Sequence, residues 1–403
     1  MNKAQEQLLE LLKAYFNSQT PLISESEDIS GALRLAEMHK LLPIARHAAN
    51  SLPQISSLEG ASANLLRQMS LNDVIYQTKK TAALKEILAD FEKAGITALV
   101  VKGAAVAVCY NNPDYRVSSD EDIFIRREDL HRCADILQNS GFTDIDGIKT
   151  NKDVYLFKND EKIIHLELHV SLLPSGTKNY KHLNELFAAA FNDSYTIDFD
   201  GTGIKTLPAT EHLIFLVAHA FKHFVHSGFG IRQLCDVLVF TRKNSESIDF
   251  AQVDACLSAL RADKFFGALL KIGSEYLGFS DLDSLKVKAP DGDCNDLLCD
   301  VFEAGIFGKS NENRMKSAAA TDAAARAGRG KNTLSLFFPP LEIMRERYAV
   351  LHKYSFLLPL YWLVRSVEYL FGMRKSDSAT SPFASADIAA KRLELLRHYD
   401  IID

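Results

Sequence analysis

Several common catalytic signatures are absent from this sequence of 403 residues. There is no GxxxxGK(S/T) loop, no GxSxG turn and no HExxH pair. Their absence excludes a P-loop enzyme and disfavours a serine hydrolase and a zinc hydrolase. The six cysteines have irregular spacing and form no CxxC pair, which predicts reduced thiols in a reducing compartment.

The sequence also lacks a basic excess and a long apolar run. Its formal net charge of -6 disfavours binding to a long nucleic acid. Its most lipid-like segment, FLLPLYWLV at residues 356–364, is too short to cross a bilayer. The first residues form a charged amphipathic pattern without the apolar core of a signal peptide. We therefore expect a cytoplasmic protein without a membrane span.

The pattern of apolar residues changes along the chain. Helical spacing covers the first 90 residues, and one long helix, from residue 70, is predicted to end at Gly95. Helices then alternate with predicted strands, which lie at residues 96–102, 120–126, 153–159 and 162–173. Helical patterns return from residue 207 onward. We expect an α+β protein with an N-terminal helical region (1–80), a mixed core (81–203) and a C-terminal helical domain (204–403).

Asp120 and Asp122 stand at the start of a predicted strand, in the segment SSDEDIFI. Side chains two residues apart in a strand lie on one face, about 7 Å apart. Two carboxylates there repel each other, and a divalent cation removes the conflict; oxygen ligands with this spacing suit Mg²⁺. The alternative is a solvent-exposed start of a strand, which is the better reading of DxD taken alone.

Two nearby features favour the metal site. Gly103 follows a buried strand and precedes a short helix, a geometry that offers backbone N–H groups to a triphosphate, and Lys102 adds a positive charge. Arg116 lies four residues before Asp120 and is a candidate for neutralising a phosphate. The alternatives are an ordinary strand-to-helix turn at Gly103 and a surface ion pair at Arg116.

A third feature is the segment KIIHLELHVSLL, in which apolar and polar residues alternate. Its polar face carries His165, Glu167 and His169, so Glu167 is a candidate for a third carboxylate beside the aspartate pair. Three carboxylates on two adjacent strands would hold two Mg²⁺ ions, which activate an attacking hydroxyl and stabilise a leaving pyrophosphate. The alternative is an edge strand with a hydrated outer face.

The segment VVKGAAVAVCYNNPDYRVSSDEDIFIRREDLHRCADILQNSGF resembles the uncharacterised nucleotidyltransferase family of the DNA polymerase β-like superfamily. Members show Lys-Gly after the first strand, then an arginine, a DxD strand and a helix that ends in Gly-aromatic. The segments HLELHVSLL, EHLIFLVAHAFKHF, IRQLCDVLVF and FPPLEIMRERYAVLHKYSFLLPLYWLVRSV are similar to later features of the family. The resemblance covers most of residues 80 to 370.

This resemblance implies a polymerase β-like core, a small mixed sheet with flanking helices, to which N-terminal helices and a C-terminal helical domain are added. By motif position, Asp120, Asp122 and Glu167 would bind metal, and Gly103 would lie against the triphosphate. The wider superfamily has Gly-Ser at the phosphate turn, whereas this chain has Lys102-Gly103-Ala104.

Histidines in HAFKHFVH recur on one helical face, and His223 is a candidate contact for substrate or phosphate. No cysteine or clearly placed carboxylate completes a zinc site. The alternative is that these histidines satisfy backbone groups or lie half exposed. By analogy with aminoglycoside-type nucleotidyltransferases, Asp236 is a candidate general base; it could also simply pair with Arg232, one helical turn away.

These observations predict a Mg²⁺-dependent nucleotidyltransferase that moves a nucleoside monophosphate from an NTP to a hydroxyl of a small molecule or a protein. Asp120, Asp122 and Glu167 would bind metal, and Glu167 could instead accept the proton of the acceptor. Lys102, Gly103, Arg116 and His223 would contact the nucleotide. The alternative function is a catalytically inactive module of the same fold that binds nucleotide or assembles a complex.

Overall fold

A computed structural model gives the architecture of the chain. It describes residues 1–57, 61–145, 147–148, 152–226, 228–285 and 287–304, together with 341, 344, 348, 350–362, 364 and 391–402. Much of the C-terminal segment that carries the family resemblance therefore lies outside the described residues. The chain forms two compact units, one of Met1–Phe221 with Gly230–Ile306 and one of Lys222–Phe229 with Phe307–Asp403.

Helices make up most of the described structure. Their bounds are α1 (Lys3–Phe16), α2 (Ser30–Met38), α3 (Leu42–Ala49), α4 (Pro53–Ser57), α5 (Ala61–Lys93), α6 (Ala104–Ala107), α7 (Leu130–Asn139), α8 (Lys181–Ala189), α9 (Ala209–His226), α10 (Ile231–Asn244), α11 (Phe250–Ala259), α12 (Asp263–Leu277), α13 (Asn295–Ala304) and α14 (Val350–Lys353). In the part of the chain described, no helix is both long enough and apolar enough to cross a membrane.

In the described residues, seven strands form two sheets. The strands are β1 (Leu99–Val100), β2 (Glu121–Phe124), β3 (Thr143–Asp144), β4 (Val154–Asn159), β5 (Ile164–His169), β6 (Tyr195–Phe199) and β7 (Thr202–Thr206). The first five form one sheet in the order β1-β2-β5-β4-β3, and β6 pairs with β7. The β2–β5 pair is parallel and the others are antiparallel, so the larger sheet is mixed. The molecule is an α+β protein with a small mixed sheet flanked by helices, as expected.

Period-two alternation fixes which face of the sheet enters the core. Leu166 and Leu168 of β5 pack with Ile123 of β2 in one apolar cluster, to which α5 and α7 also contribute. The intervening residues of β5, Glu167 among them, therefore lie on the opposite face. The register that buries the leucines thus sends the polar residues to a separate surface.

Some boundaries differ from the sequence prediction. The strand predicted at residues 96–102 pairs only at Leu99–Val100, since the chain turns at Gly103 with a φ of 51°. Helix α5 ends close to Gly95 as predicted, but it begins at Ala61, nine residues before the predicted start at residue 70. The β6–β7 hairpin is absent from the expectations above, although Asp200 and Gly201, both with positive φ, are a typical two-residue hairpin turn.

All six cysteines are free thiols, as the irregular spacing predicts. Cys133 and Cys235 are buried, and burial raises the pKa of both thiols, to about 12 for Cys133. Thiols in such surroundings stay protonated and act as apolar packing groups.

Candidate active site

The parallel pairing of β2 with β5 brings two of the predicted carboxylates together. Asp122 is the direct register partner of Glu167, so their side chains leave the sheet on the same face. Asp122 is almost fully buried, whereas the Glu167 side chain is 30% exposed. One carboxylate therefore lies at the base of the site and the other at its opening.

His169 joins this pair from the same face of β5. Its Nε2 lies 3.1 Å from Asp122 Oδ1 and 3.4 Å from Glu167 Oε2. One ligand atom from each of the three side chains lies within 4.8 Å of the other two. His169 belongs to the polar face noted in the sequence, but the analysis of motifs alone gave it no role.

Lys102 supplies the positive charge on the other side of Asp122. Its Nζ lies 3.2 Å from Asp122 Oδ2 and 3.4 Å from Nε2 of His219 on α9. An ammonium only donates hydrogen bonds, so in this arrangement Nε2 of His219 is the acceptor. Lys102 thus lies between Asp122 and His219, directly before the Gly103 turn.

Neighbouring charges and hydrogen bonds, rather than burial, determine the direction in which the pKa values of Asp122 and His169 are shifted. Burial alone raises the pKa of Asp122, but the Lys102 charge and the His169 hydrogen bond outweigh it and hold the pKa well below the usual value. Burial lowers the pKa of His169, but hydrogen bonds with Asp122 and Glu167 reverse the shift and raise it. The cluster favours an ionised Asp122 beside cationic neighbours.

Asp120 lies just before β2 and is half-buried, outside the group formed by Asp122, Glu167 and His169. Its charge still acts on the site: after the opposing effect of burial, Asp122 and then Asp120 raise the pKa of Lys102. Asp120 also interacts electrostatically with Arg232 of α10. The two aspartates are therefore near the same lysine, with Asp122 in direct contact.

The turn at Gly103 faces a protein carboxylate, that of Glu121. Glu121 Oε2 accepts a hydrogen bond of 3.0 Å from the backbone N–H of Ala104, and Oε1 lies 2.8 Å from Nζ of Lys80. A Cβ at position 103 would lie only 1.7 Å from Glu121 Oε2, so only glycine allows this approach. Sequence reasoning missed Glu121 and Lys80, since both looked like ordinary surface residues of a strand start and a helix.

Arg116 and Asp236 form a second buried ion pair. Arg116 Nε donates to Asp236 Oδ1 and Nη2 donates to Oδ2, each over 2.8 Å, and the Tyr110 hydroxyl donates to Oδ1 over 2.7 Å. Although burial raises the pKa of Asp236, the Arg116 charge outweighs it and lowers the pKa overall. Arg232, the other partner considered for Asp236, donates through Nη1 to the backbone oxygen of Val117.

The structure therefore brings together Asp122, Glu167 and Lys102 of the predicted site residues, with Asp120 nearby. It places Gly103 against Glu121, and it pairs Arg116 with Asp236. His223 belongs to the second compact unit, and its contact with substrate stays a prediction.

The donor set at Asp122, Glu167 and His169 fits a divalent cation. Carboxylate oxygens suit Mg²⁺ and Mn²⁺, and an imidazole nitrogen suits the transition metals. The nitrogen that faces both carboxylates is Nε2, which can bind a metal only when it carries no proton. A cation at this place would share Asp122 with Lys102.

Comparison with known protein families identifies the family of this chain. The model of an uncharacterised nucleotidyltransferase family matches residues 25–278, more than half of the chain. No curated protein matches, and no solved structure matches. The chain belongs to this uncharacterised nucleotidyltransferase family.

Proposed function

Because the chain belongs to this family, we propose that it is a Mg²⁺-dependent nucleotidyltransferase with a polymerase β-like core and an appended C-terminal helical domain. It transfers a nucleoside monophosphate from an NTP to a hydroxyl group of a small molecule or a protein. The acidic net charge of -6 supports an acceptor other than a long nucleic acid.

One observation carries the proposal. Asp122 and Glu167 are register partners on parallel strands and point to one face, where His169 and Lys102 meet them. A connected cluster of four ionisable side chains that is partly open to solvent, and in which the pKa values of Asp122, His169 and Lys102 are shifted, is typical of a functional site. A structural role for this cluster needs no partly exposed carboxylate, whereas a site that receives a substrate does.

The position of each side chain suggests its role in the proposed transfer. Transfer forms a bond between the acceptor oxygen and the α-phosphorus, breaks the bond from that phosphorus to pyrophosphate, and releases the hydroxyl proton. Glu167, at the opening, either accepts that proton or takes part in holding the metal, and Lys102 holds phosphate oxygens. Asp120, Asp122 and Glu167 would hold Mg²⁺, which when bound would supply positive charge to the phosphates and polarise the attacking oxygen.

Arg116 and Asp236 fit a positioning role in this proposal. Asp236 already accepts three hydrogen bonds from Arg116 and Tyr110, so little of its acceptor capacity remains for a substrate proton. Their pair fixes α10 to the loop that precedes Asp120. The contact of His223 with the nucleotide remains part of the proposal without a structural argument of its own.

A second function has support from the Gly103 turn. Glu121 uses the N–H of Ala104, and Lys102 already neutralises Asp122. A chain that fills its phosphate turn with its own carboxylate suits a catalytically inactive module that senses nucleotide or assembles a complex. This alternative predicts that the chain keeps the fold but has lost metal-dependent binding of NTP.

Thermal unfolding with each NTP, with and without Mg²⁺, separates the two functions. A ligand at about 100 times its dissociation constant stabilises the folded state by roughly 2.7 kcal/mol, so the midpoint rises by several degrees. The transferase predicts a shift that needs Mg²⁺ and disappears in Asp122→Asn and Glu167→Gln. Parallel titrations with Mn²⁺ test whether the His169 nitrogen takes part in metal binding.

Asp198→Asn is the matched control, since Asp198 is an exposed carboxylate on the β6–β7 hairpin. It should keep the full shift. A shift that occurs without metal and survives in both site variants would favour the nucleotide sensor. The absence of any shift with all four NTPs would contradict the transferase and the nucleotide sensor, and would favour a module that assembles a complex.

A further inference from the structure

A second cleft lies among the N-terminal helices, lined by α3, α5 and the turn at Pro113–Tyr115. It has a volume of about 430 Å³, within the usual range for small-molecule sites. Its described lining is Pro43, Arg46, His47, Asn50, Arg67, Ser70, Leu71, Val74, Ile75 and Tyr115. None of the residues used in the proposed transfer lines it.

The charged side chains among the described lining residues of this cleft are positive. Arg46 and Arg67 both line it, and no aspartate or glutamate is among its described lining residues. Burial and, after it, the charge of Arg67 lower the pKa of Arg46, so the two guanidinium groups act on each other. An anion placed between them would relieve this repulsion and accept their hydrogen bonds.

Polar groups with suitable chemistry stand beside the arginines. Asn50 and Ser70 bring an amide and a hydroxyl to the same cleft, and His47 adds an imidazole. Guanidinium, amide and hydroxyl donors together are the usual partners of phosphate oxygens. This combination favours a phosphate over a simple carboxylate, which has fewer acceptor oxygens.

The rest of the lining is apolar or aromatic. Leu71 and Ile75 remain 49% and 52% exposed, next to Val74 and Pro43. The rings of His47 and Tyr115 lie 5.5 Å apart and form part of the same wall. A ligand that covers these groups must carry an apolar or aromatic part beside its anionic end.

The wall that carries Tyr115 is held in place by hydrogen bonds. Thr78 of α5 donates to Asp114 over 2.9 Å, and the backbone N–H of Asn112 donates to the Tyr15 hydroxyl over 3.0 Å. The same turn continues directly into Arg116 and the loop to Asp120. The cleft is therefore preformed and adjoins the chain segment that leads to the acidic site.

We propose that the cleft between α3 and α5 binds a small phosphate monoester with an apolar or aromatic substituent, held by Arg46 and Arg67. Asn50 and Ser70 contact the remaining phosphate oxygens, and the substituent lies against Leu71, Ile75 and Tyr115. The site is independent of nucleotide transfer at Asp122 and Glu167.

Isothermal titration of the full chain with phenyl phosphate tests the site directly, at fixed ionic strength. Inorganic phosphate and phenol are the partial probes, and we expect both to bind more weakly than phenyl phosphate. The Arg46→Gln, Arg67→Gln double variant should lose about tenfold or more in affinity, since two charge-assisted contacts are removed. Arg67 is exposed and Arg46 is half-buried, and glutamine retains part of the side-chain packing, so the unfolding midpoint should stay close to that of the wild type.

Two controls decide the location of binding. Arg34→Gln removes an exposed arginine of α2 that does not line the cleft and should leave the affinity unchanged. Asp122→Asn should also leave it unchanged, which separates this site from the nucleotide site. Equal losses in Arg34→Gln and the double variant, loss only in Asp122→Asn, or no binding to the wild type would each overturn the proposal. Equal affinity for inorganic and phenyl phosphate would overturn the assignment of an apolar ester.

Discussion

Glu121 and Asp122 are consecutive residues of β2, and their carboxylates lie in different surroundings on the two sides of the sheet. Glu121 pairs with Lys80 in a place where both side chains are at most 1% exposed. Asp122 pairs with Lys102, whose side chain is 11% exposed, next to Glu167 at 30%. The first pair is enclosed and every contact is made within the protein; the second opens toward solvent and can exchange partners with a ligand.

The difference shows that a buried ion pair is not by itself a sign of a site. Glu121 is held by Lys80, Ser118 and the N–H of Ala104, so its oxygens already have their hydrogen bonds. Asp122 is bonded to Lys102 and His169, which are both able to rearrange around a metal or a phosphate. We therefore propose a structural role for the Glu121 pair and a role in the proposed transfer for the Asp122 cluster.

The largest expected effect comes from Lys80→Met, which leaves Glu121 charged and unpaired in the core. Removing one partner of a buried pair costs about 3 to 5 kcal/mol of unfolding free energy. Urea unfolding of the variant and the wild type measures this loss of unfolding free energy. The double variant Lys80→Met, Glu121→Gln should recover most of the loss, because glutamine keeps an acceptor for Ala104. A single variant as stable as the wild type would contradict the enclosed pair.

Acid pH tests the histidine that fixes β1 behind the Lys102 turn. His212 Nε2 donates to the backbone oxygen of Val101 over 2.8 Å, and burial lowers the pKa of His212 from 6.5 to about 4. Between these two pKa values the unfolded chain binds a proton that the folded chain does not bind. The free energy of unfolding therefore has its full value above pH 6.5 and falls as the pH drops toward 4. The loss approaches roughly 3 kcal/mol at the lower limit.

The control for this pH effect is His212→Gln, which keeps a donor for Val101 but does not titrate. As the pH falls from 6.5 to 4, the wild type should lose more unfolding free energy than the variant does. Parallel pH curves for the two proteins would show that His212 does not set the acid limit.

Gly103→Ala probes the closeness of the turn to Glu121. The backbone there has a φ of 51°, and the new Cβ would meet the Glu121 carboxylate. Strain and overpacking together should cost about 2 to 3 kcal/mol. Gly147→Ala also has a positive φ, of 79°, but open space around its Cβ, so it is a control for a new side chain at a positive φ without a close contact. Equal losses in the two variants would mean that contact with Glu121 adds nothing.

The smallest stability effect is expected from Asp122→Asn, on the open side. Asparagine keeps the volume and an acceptor oxygen for Lys102, and Lys102 keeps its contact with His219, so we expect a loss of about 1 to 2 kcal/mol. The same variant should nevertheless abolish metal-dependent NTP binding. A stability loss as large as that of Lys80→Met would remove the distinction between the two sides of the sheet.

Much of the sheet could be predicted from local pattern. The alternation in KIIHLELHVSLL gave both the strand and the face of Glu167, because a strand must send successive side chains to opposite sides. The end of α5 near Gly95 and the short helix after Gly103 were predicted for similar local reasons. The short pairing of β1 and the start of α5 were not, since tertiary contacts rather than propensity set those limits.

The site was predicted only in part. Asp122 and Glu167 meet because β2 and β5 pair in parallel, and no local signal in either segment states that register. Lys80 lies about 40 residues from Glu121 in sequence, and Asp236 lies 120 residues from Arg116, so their pairs arise from long-range packing. A sequence motif names such residues separately and leaves their partners open.

The sequence by itself determined the α+β class, the polar face of β5 and the glycine at the turn that follows β1, because each depends on periodicity or on the conformation of one residue. The tertiary structure decided that Glu121 fills that turn, that Lys102 and His169 flank Asp122, and that Arg46 and Arg67 share a cleft. Charges separated along the chain interact only after packing has removed the water between them, and packing is a property of the whole fold.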